Sequence, residues 1–113
     1  MDPRVELLKD HLKRDKNARL SAVSMASMVN LSASHLSHLF MREAQVSPQR
    51  FAKLVRMQHA KHLLETSFRT VKQVMTDSGF SDASHFVRDF KRLYGKSPSQ
   101  HRRDHKIIGS ANK

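Results

Sequence analysis

The chain has 113 residues, enough for one domain or two very small lobes. It contains 21 Lys+Arg and 10 Asp+Glu, which gives a formal net charge of +11. A positive charge of this size attracts polyanions such as nucleic acid. The absence of cysteine excludes disulfides, thiolate zinc sites and a cysteine nucleophile. No apolar run reaches the roughly 20 residues that span a bilayer, and the first residues lack the apolar core of a signal peptide, so we expect a cytoplasmic protein without a membrane partner.

The first half of the chain has apolar residues at helical spacing and no strand alternation. We predict a first helix over residues 3–14, a loop at 15–17, and a second helix that is capped by Ser21 and ended by a left-handed Asn30. A third helix is predicted over 32–44. The expected buried positions are Val5, Leu8, Leu12, Ala22, Met25, Ala26, Val29, Leu36, Leu39 and Phe40.

The second half continues the same pattern. A long helix is predicted over residues 48–66, which at ~1.5 Å per residue spans roughly 28 Å. Helices over 70–79 and 82–95 and a short helix after 97–98 follow, and the tail 105–113 is expected to be frayed. The expected buried positions are Phe51, Leu54, Val55, Leu63, Leu64, Val71, Val74, Met75, Phe86, Phe90 and Leu93. The fold class is therefore all-α, with about seven helices.

The sequence partly repeats itself. Under a shift of 50, seven of the sixteen positions from Ala33 to Pro48 are identical, and Ser47-Pro48 falls on Ser97-Pro98. Just upstream a shift of 49 fits better, which indicates one extra residue in the turn of the second copy. Each copy reads helix, tight turn, helix, then Ser-Pro, as in a helix-turn-helix unit. A generic helical bundle with two similar hairpins is the alternative that the repeat alone leaves open.

The predicted outer faces of the second helix in each copy favour DNA binding. They carry Ala33, Ser34, Ser37, His38, Met41 and Arg42 in the first copy, and Ala83, Ser84, Val87, Arg88, Lys91 and Arg92 in the second. Small residues let a helix N-terminus enter a major groove about 12 Å wide, Arg reads guanine, and Ser bonds several base edges. From Leu20 to Ala60 the only acidic residue is Glu43. The alternative for the basic residues is an ordinary solvated surface.

Specific residues in both halves resemble the AraC/XylS family of bacterial transcription regulators. In the second half these are Asp77 to Phe86, Arg88, Phe90-Lys91-Arg92, Tyr94-Gly95 and Ser97-Pro98. In the first half they are Leu31-Ser32, Leu36-Ser37, Leu39-Phe40, Ser47-Pro48, Arg56 and Ala60 to Leu64. The resemblance covers roughly residues 20–103.

This resemblance implies one domain over residues 1–113 with two homeodomain-like helix-turn-helix lobes, over about 3–47 and 67–104, joined by the linker helix 48–66. The lobes of such domains enter adjacent major grooves about one helical turn, ~34 Å, apart on one face of DNA. Carried over by position, the base-reading sites are Ser34, Ser37, His38, Ala83, Ser84, Val87 and Arg88. The expected phosphate contacts are Arg42, Lys91 and Arg92.

The expected function is sequence-specific binding of double-stranded DNA in transcription regulation, and the resemblance implies RNA polymerase as a protein partner. Because two paired units can fill two grooves, we expect the domain to bind as a monomer. We expect no effector domain within this chain, whether it is a stand-alone regulator or a piece of a longer one.

Other functions have weaker support in the sequence. We find no nucleophile elbow, phosphate loop or carboxylate pair, so we expect no enzyme and no cofactor. Among eight His residues, His101 and His105 have i, i+4 spacing, but they lie near the expected frayed tail and we expect no metal site there. A non-specific architectural DNA binder or an RNA binder is the second class, although RNA modules usually expose aromatic residues. A membrane-surface protein is the third, and no exposed aromatic stripe is predicted to insert.

Overall fold

The computed structural model describes residues 2–15 and 21–105, and within these ranges it contains seven helices and no strand. The expected all-α class is therefore confirmed. Residues 16 and 17 of the predicted loop and the predicted tail from residue 106 onward lie outside the described residues. The helices are α1 (Pro3–Arg14), α2 (Ala22–Met28), α3 (Ala33–Ala44), α4 (Pro48–Thr66), α5 (Val71–Asp77), α6 (Ala83–Tyr94) and α7 (Pro98–Asp104).

Helix starts follow the capping residues in the sequence. Ser21, Ser32, Thr70, Asp82 and Ser97 each have extended backbone and accept a hydrogen bond from the backbone N–H three residues later. These bonds satisfy donors that would otherwise have no partner in the first turn of a helix. At Thr70 the capping box is complete, because the side chain of Gln73 also accepts from the Thr70 N–H at 2.9 Å.

The chain divides into two compact units, and the boundary falls inside α4 between Val55 and Arg56. The core of the first unit combines one face each of α1, α2 and α3 with the first part of α4. Phe40 is fully buried, and its ring meets the edge of Phe51 at 5.5 Å between centroids. The buried residues of this core are Val5, Leu8, Leu12, Met25, Ala26, Val29, Leu36, Leu39, Phe40 and Ala52.

The core of the second unit is built around Phe90. This side chain is fully buried, with the Tyr94 ring 4.8 Å and the Phe86 ring 6.0 Å from it. The buried hydrophobic residues of this core are Met57, Ala60, Leu63, Leu64, Val74, Met75, Phe86 and Phe90. The prediction that Leu93 points inward is wrong, because this side chain is 36% exposed. Leu93 lies in the last turn of α6, where helical periodicity does not reveal whether a neighbouring element covers the position.

Candidate nucleic-acid interface

Two turns of the same type set the start of α3 and of α6. After α2, the backbone N–H of Leu31 bonds the carbonyl of Ala26 at 3.0 Å, and Asn30 has φ 57. After α5, the N–H of Phe80 bonds the carbonyl of Met75 at 3.0 Å, and Gly79 has φ 86. Both are Schellman endings, which need a left-handed residue directly after the helix cap.

The two turns differ in length by one residue. Residues 29–32 separate α2 from α3, whereas residues 78–82 separate α5 from α6. The extra residue predicted in the second turn is therefore confirmed. Each of the two segments consists of a short helix, a tight turn and a second helix. These features define a helix-turn-helix protein.

The outward side of α3 forms what we call the first recognition face, made of Ser34, Ser37, His38, Met41 and Arg42. These positions follow the i, i+3, i+4, i+7 spacing of one helix face, opposite the buried Leu36, Leu39 and Phe40. Ser37 is half-buried and the other four are exposed. All but Ser34 line an open depression of about 390 Å³. Arg42 is the only one of the five with a permanent positive charge, so this face offers mainly hydroxyl, imidazole and thioether groups.

The outward side of α6 forms the second recognition face, made of Ala83, Ser84, Val87, Arg88, Lys91 and Arg92. All six residues are exposed, while Phe86 and Phe90 on the opposite side are buried. Arg88 Nε lies 3.5 Å from Asp89 Oδ1 on the same helix, and the Arg88 side chain stays 56% exposed. Within the described part of the chain, neither Lys91 nor Arg92 forms an ion pair. The second face is therefore considerably more cationic than the first.

The caps of α3 and α6 differ in charge. Ser32 caps α3 with a neutral hydroxyl, and Asp82 caps α6 with a carboxylate that accepts from the His85 N–H at 2.9 Å. This backbone hydrogen bond, with the nearby His85 and Arg88 side chains, lowers the pKa of Asp82 below its ordinary value. Ser34 and Ser84 stand exposed in the first turns of these helices, where the backbone N–H groups favour anions.

The structure places all ten sequence-predicted DNA contacts on these two faces, seven base contacts and three phosphate contacts. Three other positions lie on α3 and α6. Ala33 is half-buried and packs against the first core, although its counterpart Ala83 is exposed. Asp89 is buried although it is charged, and Leu39 at the corresponding position of the first copy is buried too. Met41 lines the depression on the first face, where it was predicted to lie, and no DNA contact is predicted for it.

The environment of His101 was misjudged from the sequence. His101 belongs to α7 and is only 5% exposed, so it does not lie in a frayed segment. Its Nε2 atom lies 2.7 Å from Glu65 Oε2, and its ring meets the edge of the Phe90 ring at 5.6 Å. The Glu65 partner, 36 residues away in sequence, carries no local signal that would reveal this contact.

Comparison with known proteins identifies the family. A family model described as a helix-turn-helix domain matches residues 25–104. YijO, an uncharacterised HTH-type transcriptional regulator of Escherichia coli, is 31% identical over 88% of this chain, and the Msm operon regulatory protein of Streptococcus mutans is 30% identical over 88%. Among solved structures, a probable AraC family transcriptional regulator from Rhodopseudomonas palustris has a TM-score of 0.86 and 26% identity, covering 94% of this chain and 100% of that one. The chain belongs to the AraC-type helix-turn-helix family of transcription regulators.

The chain spans about a third of the length of these two relatives, 35% of YijO and 36% of the Msm operon protein. The comparison therefore concerns the helix-turn-helix part of such regulators. None of the helices in residues 2–15 and 21–105 is both long and apolar enough to cross a membrane.

Proposed function

We propose that this domain binds double-stranded DNA selectively by placing α3 and α6 in adjacent major grooves, so that the two recognition faces read two half-sites of one asymmetric site. The observation that carries the proposal is the pair of exposed faces on the second helices of two helix-turn-helix units. Each face combines small residues in its first turn with hydrogen-bonding or basic residues one and two turns later, as direct readout of base edges requires.

Base readout is assigned to Ser34, Ser37 and His38 in the first unit and to Ala83, Ser84, Val87 and Arg88 in the second. Arg88 is the strongest reader, because a guanidinium can bond guanine O6 and N7 together. Val87 is 40% exposed, and its methyl groups suit the methyl group of thymine. The first face has no such Arg at the equivalent position, His38, so we expect it to contribute less discrimination between bases.

Phosphate contacts are assigned to Arg42, Lys91 and Arg92. They lie in the last turns of α3 and α6, whereas Ser34 and Ser84 lie in the first turns. The first turn of each helix can therefore contact base edges while the last turn contacts the DNA backbone. Phosphate contacts fix position and orientation without reading sequence.

The same proposal covers the partners. One copy of the domain presents two recognition faces, so monomeric binding suffices to occupy two half-sites. The relatives are regulators of transcription, which supports RNA polymerase as the protein that the DNA-bound domain contacts.

The test compares Arg88→Ala with Lys91→Ala. Loss of a base contact at Arg88 should cost about 1–3 kcal/mol on the preferred site and relax the preference at one base pair. Loss of a phosphate contact at Lys91 should weaken all sequences similarly and reduce the slope of log K against log salt by about one. Binding is measured by fluorescence anisotropy on the preferred duplex and on all single-base variants, at several salt concentrations.

Lys13→Ala is the matched control, because it removes one exposed positive charge from α1, outside both recognition faces. We expect it to leave base preference unchanged. If Arg88→Ala weakened every duplex by the same factor, Arg88 would be a phosphate contact and the base assignment would be wrong. If no variant changed base preference and binding vanished as salt rose, the domain would be a non-specific DNA binder.

A further inference from the structure

The end of α7 and the last turns of α4 bring three metal-binding side chains together, none of which belongs to a recognition face. One donor atom each from Glu65, His101 and His105 lies within 4.8 Å of the other two. His101 is buried, Glu65 is half-buried and His105 is exposed. The set therefore combines one buried ligand with one exposed ligand, so a solvated cation can reach it from the surface.

The hydrogen bonds around the cluster orient its imidazole rings. His105 Nδ1 lies 3.1 Å from the carbonyl oxygen of His101. A donated N–H from Nδ1 to this carbonyl leaves the lone pair of His105 on Nε2, which is the tautomer and the outer-shell bond that metal-binding His residues use. His101 Nε2 faces Glu65 Oε2 at 2.7 Å, and the two His rings stack at 4.2 Å between centroids.

We propose that Glu65, His101 and His105 form a zinc site with two imidazole ligands, one carboxylate ligand and a position left for water. Ligands of a tetrahedral zinc ion stand about 3.4 Å apart when the bonds are about 2.1 Å, so the donors need to move by an ångström or so. His105 is exposed and caps α7, and rotation of its side chain supplies most of this movement. Zinc would take the place of the hydrogen between His101 Nε2 and Glu65 Oε2, and a neutral His101 ring would then carry its N–H on Nδ1.

The bound ion would tie the end of α7 to α4 within the second unit. One link between these helices already exists, because Arg102 Nε donates to the Leu64 carbonyl at 2.8 Å. The contact of His101 Nε2 with Glu65 Oε2 is a second link, and zinc would replace it with one that depends on the free zinc concentration. This role is independent of the proposed DNA readout, because none of the three ligands lies on a recognition face.

Lys61 opposes the cation and gives the proposal a second test. Its Nζ lies 2.9 Å from Glu65 Oε2, so zinc must displace it from the carboxylate and tolerate its charge nearby. Hydrogen bonds from Lys61 and His101 outweigh the effect of burial and lower the pKa of Glu65, so the carboxylate is ionised at neutral pH. Lys61→Gln removes the competing charge and should tighten zinc binding.

The experiment is a zinc titration of the whole chain by isothermal calorimetry at neutral pH, with thermal unfolding recorded in parallel. We expect one saturable site and an unfolding temperature that rises with zinc. His105→Ala and Glu65→Gln should weaken binding by at least the roughly 10–100-fold that loss of an outer-shell partner costs. His62→Ala is the matched control, an exposed His on α4 outside the cluster, and should leave binding unchanged.

Nitrogen NMR of the His side chains locates the site directly. We expect zinc to shift ring-nitrogen resonances of His101 and His105, and Lys61→Gln to increase affinity. Absence of saturable binding would overturn the proposal. So would binding that survives His105→Ala, or that shifts only His residues outside the cluster.

Discussion

Replacing Phe90 with alanine removes the centre of the second core. The Phe90 side chain is fully buried, and the rings of Tyr94, His101 and Phe86 lie 4.8, 5.6 and 6.0 Å from it. Truncation of a buried Phe to Ala costs about 3–5 kcal/mol, because transfer free energy is lost and a cavity remains. Small domains are stable by only about 5–15 kcal/mol, so this loss is a large fraction of the total.

Leu93→Ala is the matched control on the same helix. Leu93 is 36% exposed, so about two thirds of the side chain is removed from water. Three carbon atoms at about 0.8 kcal/mol each, scaled by that fraction, give a cost of about 1.5 kcal/mol, and no enclosed cavity adds to it. The structure therefore predicts a cost for Phe90→Ala at least twice that for Leu93→Ala.

Hydrogen exchange under native conditions, read at amides of α5 and α6, reports the stability of the second unit separately. If Phe90→Ala leaves too little folded protein, Phe90→Leu replaces it and should still destabilise the second unit, because the smaller side chain leaves part of the ring volume empty. Equal costs for Phe90→Ala and Leu93→Ala, or a Phe90→Ala cost below about 1.5 kcal/mol, would refute the placement of these two side chains.

Two further predictions concern helix ends. Gly95 and Gln45 occupy equivalent left-handed positions after α6 and α3, with φ 80 and φ 64. No atom lies within 4 Å of a Cβ built at Gly95, so Gly95→Ala should cost only the backbone strain, about 1–2 kcal/mol. Gln45→Gly should stabilise the first unit, because glycine adopts the left-handed conformation without that strain. Urea unfolding measures both. For Asp82, a lowered pKa means stability that is present above the ordinary value of 3.8 and is lost as pH falls through the folded value. Asp82→Asn keeps the capping oxygen but removes the negative charge. The variant should therefore be less stable than the parent at neutral pH, and the difference in stability should close in acid.

Each of these two predictions has its own contradicting result. Stabilisation by Gly95→Ala would show that the left-handed backbone does not persist in solution. A stability gap between parent and Asp82→Asn that widened as pH fell from 5 toward 2 would contradict the assigned sign.

Local sequence signals were enough to place most helix boundaries. Ser32, Asp82 and Pro48 mark the starts of α3, α6 and α4 at the residues where the structure begins or caps these helices. Capping depends on side chains within three residues, so one sequence window contains the needed information. The repeat then placed both helix-turn-helix units and the longer second turn.

Burial at helix ends and contacts across the chain could not be predicted in the same way. Leu93 has the spacing of a core residue, yet its exposure depends on how far other elements reach. Asp89 is charged and nevertheless buried. The contact of His101 with Glu65 joins residues far apart in sequence, and only the packing of α7 against α4 reveals it. The roles of the individual DNA-contact residues remain predictions.

The central claim is that α3 and α6 read two half-sites of one DNA site. Its most direct test is the selection of bound duplexes from a random DNA library at about physiological salt, where binding through phosphate contacts alone is weak. Two-face readout predicts enrichment of a bipartite motif with half-sites about 10–11 base pairs apart, and a relaxed preference at one base pair of one half-site in Arg88→Ala. Enrichment of a single half-site would leave only the second face as a reader. Binding without any enriched motif would contradict the proposal that α3 and α6 read base sequence.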